Sequence, residues 1–351
     1  MSNKPPIGAP QGAIRLNIDT HKLEFYAQDR WHEMATNNIN LGAAADTGNT
    51  SSFTLGGARG VFMGMSVPTG DSQISYINIP TSGNTIDFGS RTVTGVGANI
   101  SSRTRGLAAG DTAPAFINTI DFITMSTTGE CTNFGDRTII TGRMRGCSNQ
   151  TRGIWAGGFG PSPNIRDQID FVTISSTGDA KDFGDLSGTR EAPSGNVNSP
   201  IRAIWTGGDS AGDGSYQNNI DFVTIASTGN ARDFGDLLTG RGIAAGLSSA
   251  TRGLIGTGQV SPATTSASID FLTIATFGNS TDFGDCTIAR YGRGSTTDCI
   301  RGVFAGGNGP ALTNIIDYVN ISTRGDAVDF GDFHNVTARL EGGCSTSHGG
   351  L

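Results

Sequence analysis

Short apolar runs recur along this chain at a steady interval, and none carries the 3.6-residue spacing of a long helix face. In Ile220-Asp221-Phe222-Val223-Thr224-Ile225, alternation puts Ile220 and Phe222 on one side and Val223 and Ile225 on the other. A strand that is largely apolar on both sides needs cover on both sides. The pattern predicts strands stacked between neighbouring sheets, with very little helix.

The interval is a repeat. An Arg opens a strand at Arg59, Arg105, Arg152, Arg202, Arg252 and Arg301, with steps of 46 to 50 residues. A second strand follows at Ile120-Asp121-Phe122, Ile169-Asp170-Phe171, Ile220-Asp221-Phe222, Ile269-Asp270-Phe271 and Ile316-Asp317-Tyr318; only the first copy, Ile74-Ser75-Tyr76, lacks the acid. Asp-Phe-Gly-Asp then opens at Asp182, Asp233, Asp282 and Asp329, with Asp87-Phe88-Gly89-Ser90 and Asn133-Phe134-Gly135-Asp136 as variants. Between units lies a Gly/Ala/Ser-rich stretch with its own Arg, as in Gly240-Arg241-Gly242-Ile243-Ala244-Ala245-Gly246, which reads as a fourth strand. Four short strands repeated six times describe a propeller of four-stranded antiparallel blades. Thr177-Gly178-Asp179 and Thr228-Gly229-Asn230 supply residues tolerant of positive φ, so these turns should join strands three and four.

After the last Asp-Phe-Gly-Asp, the stretch Ala338 to Ser345 matches a first strand with no second strand behind it. A closing strand within 335–348 is therefore expected to pair with the unit beginning at Arg59, so that blade 1 is built from both ends of the chain and no sheet edge is left to aggregate. The organisation expected is an N-terminal attachment segment over 1–34, a linker over 35–50 and a six-bladed propeller over 51–351. A seven-bladed ring would need residues 35–58 to form part of a blade.

These residues resemble the kelch-type propeller repeat. The likeness lies in an Arg with small residues near the start of the unit, a Gly-Gly doublet closing strand two (Gly157-Gly158, Gly207-Gly208, Gly306-Gly307) and an aromatic in strand three. It covers roughly residues 50 to 351 and departs from the family in the outer strand, where Asp-Phe-Gly-Asp replaces the usual Trp position. The wording Thr-Arg-Gly-Ile-Trp-Ala-Gly-Gly and Ser-Thr-Gly-Asp-Ala-Lys-Asp-Phe-Gly-Asp is similar to repeats in virion proteins of tailed phages, notably those of marine bacteria and cyanobacteria. The resemblance implies an all-β, six-bladed kelch-like propeller and speaks to architecture more than to activity.

The segment 1–34 lies outside the repeat. Ile14-Arg15-Leu16-Asn17-Ile18, a turn at Asp19-Thr20, Leu23-Glu24-Phe25-Tyr26 and Trp31 read as a hairpin or meander. The phrase is similar to a short module of phage fibre and other virion proteins. So short a segment buries too little to fold alone, so it is expected to dock on another virion protein through Ile14, Leu16, Phe25, Tyr26 and Trp31, the alternative being the propeller itself.

Composition narrows the classes. With 53 Gly among 351 residues, 16% charged residues and a net charge of −7, the chain is β-rich and acidic, which argues against general nucleic-acid binding. The start of the chain has no apolar signal-like run and no later stretch approaches a membrane span, so neither secretion nor membrane insertion is expected, and synthesis is placed in a host cytoplasm. Cys131, Cys147, Cys286, Cys299 and Cys344 form no Cys-x-x-Cys or Cys/His spacing and read as small buried thiols.

The repeated Asp121, Asp170, Asp221, Asp270 and Asp317 could ring a central channel, but each unit also carries an Arg in the adjacent strand, Arg105 to Arg301. An intrablade Arg–Asp pair or a turn-stabilising hydrogen bond is the expected use of both. The second acid set, including Asp182 with Asp185 and Asp233 with Asp236, reads as an outer-strand turn device. The four histidines, His21, His32, His334 and His348, avoid the middle blades, which leaves a copper-radical oxidase without ligands. No His-Glu-x-x-His metalloprotease or P-loop motif is present, and no cofactor is expected. Asp209 and Asp213 lack the remaining ligands of a calcium loop. Trp155 and Trp205 occupy one strand-two position and read as packing between blades rather than sugar platforms.

Copies disagree in the strand two-to-three connections, such as 159–167 and 209–219. That rim is the expected binding face, since loops on a rigid scaffold carry recognition. Phe159, Asn164, Arg166, Asp167, Asp209, Asp213, Tyr216, Asn218 and Asn314 are the candidates. The expectation is a non-enzymatic phage virion protein, tail- or capsid-associated, displaying loops to a host-surface glycan or protein or to adjacent subunits. The alternatives are a purely structural decoration or baseplate component and, ranked last, a propeller enzyme acting on polysaccharide.

Overall fold

The computed structural model describes residues 10, 12–17, 22–27, 30–33, 59–65, 71–111, 115–162, 164–309, 311–334, 340 and 342–347. The linker expected over 35–50, the 35–58 stretch of the seven-blade alternative, His21 and His348 lie outside them. The chain divides into two compact units, Met1–Leu55 and Gly56–Leu351. In the first, strands Ile14–Asn17, Lys22–Ala27 and Arg30–Glu33 form an antiparallel meander.

The second unit is a six-bladed β-propeller. Each blade is a four-stranded antiparallel sheet, and the described residues contain no helix. Blade 3 shows the plan: Arg145–Ser148 innermost, then Arg152–Ala156, Gln168–Thr173 and Lys181–Asp185 outermost. Blade 1 joins Arg59–Met65, Asp71–Asn78 and Ile86–Ser90 to the closing strand Cys344–Ser345, which pairs with Val61 and Gly60. Two residues suffice as a ladder because side chains reinforce it. The Ser345 hydroxyl donates to the Thr297 carbonyl on blade 6 and the Ser345 amide donates to Ser101 on blade 2.

The two-sided apolar strands find their cover at the seams. Each of the six apolar clusters is shared by two neighbouring blades; one joins Ile154, Ile169 and Phe183 of blade 3 to Trp205, Val223 and Ile225 of blade 4. Trp155 and Trp205 are fully buried, and each indole N–H donates to a carbonyl on the preceding blade's inner strand, Ala98 and Arg145 respectively. They are seam packing.

Outer strands lock to the next blade through the Asp-Phe-Gly bulge. The glycine sits at φ between 142° and 154° in all six copies, and a Cβ there would lie 2.2 to 2.7 Å from the carbonyl oxygen of the next blade's turn glycine. Only glycine allows that approach. The turn residue after that glycine then accepts from the backbone of the motif's last acid, as Asn230 does from Asp185 and Asn279 from Asp236. The motif is thus a device for joining blades rather than a turn within one.

Inner strands complete the lock around the axis. Ser101, Ser148, Asn198 and Ser248 bond blade to blade, and Ser295 and Thr296 carry the chain of contacts through blade 6 to the closing strand. On the axis, Ser101, Ser148, Asn198, Ser295, Thr296 and Ser345 line a cavity of about 30 Å³, room for a water or so.

Candidate functional site

The repeated acids are scaffold, but their partner differs from the one expected. Arg152 lies opposite Thr173 in the ladder while Asp170 lies opposite Trp155, so the two are three residues apart, about 10 Å, and on opposite faces of the sheet. The partner is instead the Arg of the preceding crossover. Arg91, Arg137, Arg190, Arg241 and Arg290 reach Asp121, Asp170, Asp221, Asp270 and Asp317 at 3.4, 2.9, 2.8, 2.8 and 2.6 Å, all buried. Hydroxyls at the head of the crossover, Thr92, Thr138, Ser187 and Thr287, donate to the same carboxylates. Asp317 also takes Arg293 at 3.1 Å. Burial pulls the Arg290 guanidinium down to about 10, and the neighbouring Arg293 adds to this against the pull of Asp317. The carboxylates therefore hold the crossovers to the blades and do not line the axis.

The strand-two arginines perform a second structural task. The Arg152 guanidinium lies 4.9 Å from the Phe171 ring centre in its own blade and donates to the Ile225 and Ala226 carbonyls of the next. Arg59, Arg105, Arg202, Arg252 and Arg301 repeat the clasp around the ring.

Crossovers and strand two-to-three loops share one rim, as up-and-down connectivity requires, and they touch. Phe159 bridges Gly142 and Ile165, Asp209 bridges Glu191 and Tyr216, and Asn308 bridges Tyr291 and Leu312. In blade 5 the loop is replaced by a hairpin extending strands Arg252–Ser261 and Thr264–Thr273.

The nine rim candidates separate into three kinds. Asp167, Asn218 and Asn314 occupy one repeated scaffold position, where the backbone carbonyl accepts the first amide of the crossover. Asp209 is 4% exposed, and its carboxylate is spent on the amides of Ala211, Gly212 and Gly214, so it shapes the loop from inside. The others face the rim. Phe159 sits 5.7 Å from Phe116 of blade 2 and under the Arg143 guanidinium at 5.4 Å. Arg166 donates to the Pro161 carbonyl and Asn164 is exposed. Asp213 is exposed and held below the usual carboxylate range by Ser215. The Tyr216 hydroxyl donates to Gln259 of the blade 5 hairpin at 2.7 Å.

Sequence reading missed Phe116, Arg143, Glu191 and Gln259. Arg143 pairs with both oxygens of Glu191 at 3.1 Å, and its backbone sits at φ 54°. Ala192 and Ile243 hold the same unusual region at 47° and 54° in the following crossovers, a costly conformation for a β-branched side chain. A run of amide-to-carbonyl bonds fixes it: Ala192 to Arg143, Ile243 to Ala192 and Gly292 to Ile243. The signal available was a non-glycine residue at Arg143, Ala192 and Ile243, where the blade 6 crossover has Gly292.

Of the attachment candidates, Ile14 pairs with Phe25 and Leu16 with Leu23. Ile14 is 64% exposed, while Tyr26 is buried and meets Trp31 edge-on at 5.3 Å. Among the described residues no group of three His, Cys, Asp or Glu side chains is placed to hold a metal ion. Comparison with protein-family models and with curated proteins finds no match to the chain.

Proposed function

We propose that the chain is a virion-associated display protein of a tailed phage, attached through residues 1–34, whose propeller presents the loop rim to a host-surface glycan or protein. The kelch-type and virion-repeat wording of the sequence supplies the class. The carrying observation is the division between copies. Seams, clasps and buried ion pairs repeat around the ring, while the Phe159 loop, the Asp209-ordered loop, the blade 5 hairpin and the Asn308 loop differ on one rim. Backbone strain held at Arg143, Ala192 and Ile243 falls on that same rim, and strained residues gather at sites that bind. A catalytic reading finds its most conspicuous acids already spent on arginines.

Retention of the purified protein on host cells or on a glycan array, lost when residues 209–216 are replaced by a short turn, is the expected result. Absence of retention, together with loss of particle incorporation on deleting residues 1–34, would leave a structural decoration in its place.

A further inference from the structure

The rim opposite the loops carries the strand one-to-two and three-to-four turns, and there too the copies disagree. The residue before the clasp Arg is Thr104, Thr151 and Thr251 in three blades but Ile201 and Ile300 in blades 4 and 6. In the three-to-four turns, Thr128, Thr177 and Thr228 give way to Phe277 in blade 5 and Arg324 in blade 6. Threonine satisfies the fold at both positions, so the replacements answer no demand of the scaffold.

They are also exposed. Ile201, Phe277 and Ile300 show 64%, 61% and 55% of their surface. Phe277 lies against Phe222 at 5.0 Å with the Arg202 guanidinium 4.7 Å from its centre, and Phe271 is shared by Arg252 at 4.8 Å and Arg324 at 4.5 Å. Among the described residues no carboxylate lies within 4.0 Å of the Arg202, Arg252 or Arg324 guanidinium. On a chain of net charge −7, this arc combines exposed branched apolar side chains, an aromatic and stacked, unneutralised cations.

We infer that the turn face of blades 4 to 6 is a docking surface for a protein partner presenting acidic side chains among apolar ones. Aromatic and Arg side chains in an apolar setting make up the core of protein interfaces, and stacking pre-orders the guanidiniums so that less freedom is lost on meeting a carboxylate. The two isoleucines favour a protein over an acidic polysaccharide, which offers branched aliphatics no matching surface. The inference goes beyond the loop rim and is independent of what that rim binds.

The test titrates the full chain into labelled soluble peptides and follows fluorescence anisotropy. One peptide mixes Glu with Leu and Phe, a second has Lys for Glu, and a third has Ser for Leu and Phe; polygalacturonate serves as the anionic glycan. Binding of the first peptide alone is expected, weakened about tenfold or more by Ile201→Thr, Phe277→Thr or Arg324→Thr. These changes restore the repeat's own residue, and unchanged circular dichroism confirms the fold. Protection from hydrogen exchange should fall on residues 199–201 and 274–280. No binding of the first peptide, equal binding by parent and variants, or preference for polygalacturonate would each overturn the inference.

Discussion

Arg190 and Asp221 meet at 2.8 Å with both side chains withdrawn from solvent, although they are 31 residues apart in the chain. Burial pulls the Arg190 guanidinium down and Asp221 pulls it back up, so the charge is tolerable only while the carboxylate is present. Asp221→Ala should therefore lower the unfolding free energy by about 3–5 kcal/mol, the cost of an orphaned buried charge. Blade 1 has buried Ser75 at this position and still forms its ladder. Arg190→Met with Asp221→Ser should thus recover at least half of that loss in urea unfolding. Equal loss in the single and double variants would show that the pair is not what holds the crossover.

Gly235 tests the outer seam. At φ 148°, with a Cβ position 2.4 Å from the Gly278 carbonyl oxygen of the next blade, Gly235→Ala combines backbone strain with a clash against main chain. A loss on the order of 1–3 kcal/mol is expected. Gly188→Ala, with open space around it, should stay within about 0.5 kcal/mol. Thermal unfolding of the two variants side by side decides whether the motif joins blades.

Trp205 tests the inner seam. Its ring is fully buried and its N–H donates to the Arg145 carbonyl at 3.1 Å. Trp205→Ala should cost about 3–5 kcal/mol through the cavity it leaves. Trp205→Phe keeps most of the packing and should cost much less. Were the residue a sugar platform, its fluorescence would respond to added glycans; a buried seam tryptophan should not respond.

The repeat made the propeller legible because period, two-sided strands and turn glycines all point to one architecture, and the orphan Cys344–Ser345 stretch showed how blade 1 closes. Arg–Asp pairing was half legible. The acid was identified as scaffold, yet its partner lies in an irregular crossover 27 to 31 residues upstream in blades 4 to 6, where strand periodicity says nothing. Asp209 shows the limit at the rim: an acid in a variable Gly-rich loop reads as a ligand, and only its three amide donors reveal it as the loop's internal brace. Phe116 and Arg143 were hidden because their meeting with Phe159 depends on how neighbouring blades lie together.

The buried thiols give the fold an alkaline limit. Burial, with a smaller push from Asp121, raises Cys131 from 9.0 to about 12, and burial also raises Cys286 and Cys344. In the unfolded chain these thiols ionise near 9, so above that pH the unfolded state sheds protons that the folded state keeps. Stability is fully present below pH 9 and falls as pH rises toward 12, with a slope approaching about 1.4 kcal/mol per pH unit for each thiol. Arg290, lowered to about 10, works in the opposite direction, as do Arg137 and Arg190, which burial also lowers, so the thiol share is read as the difference between the parent chain and Cys131→Ala. Between pH 9 and 10 the slope of unfolding free energy against pH should be less negative in Cys131→Ala than in the parent, by one thiol's share. An unchanged slope in that variant would refute the assignment. Half-buried Cys299 should be the first of the five cysteines to react with an aromatic disulfide reagent in the native protein.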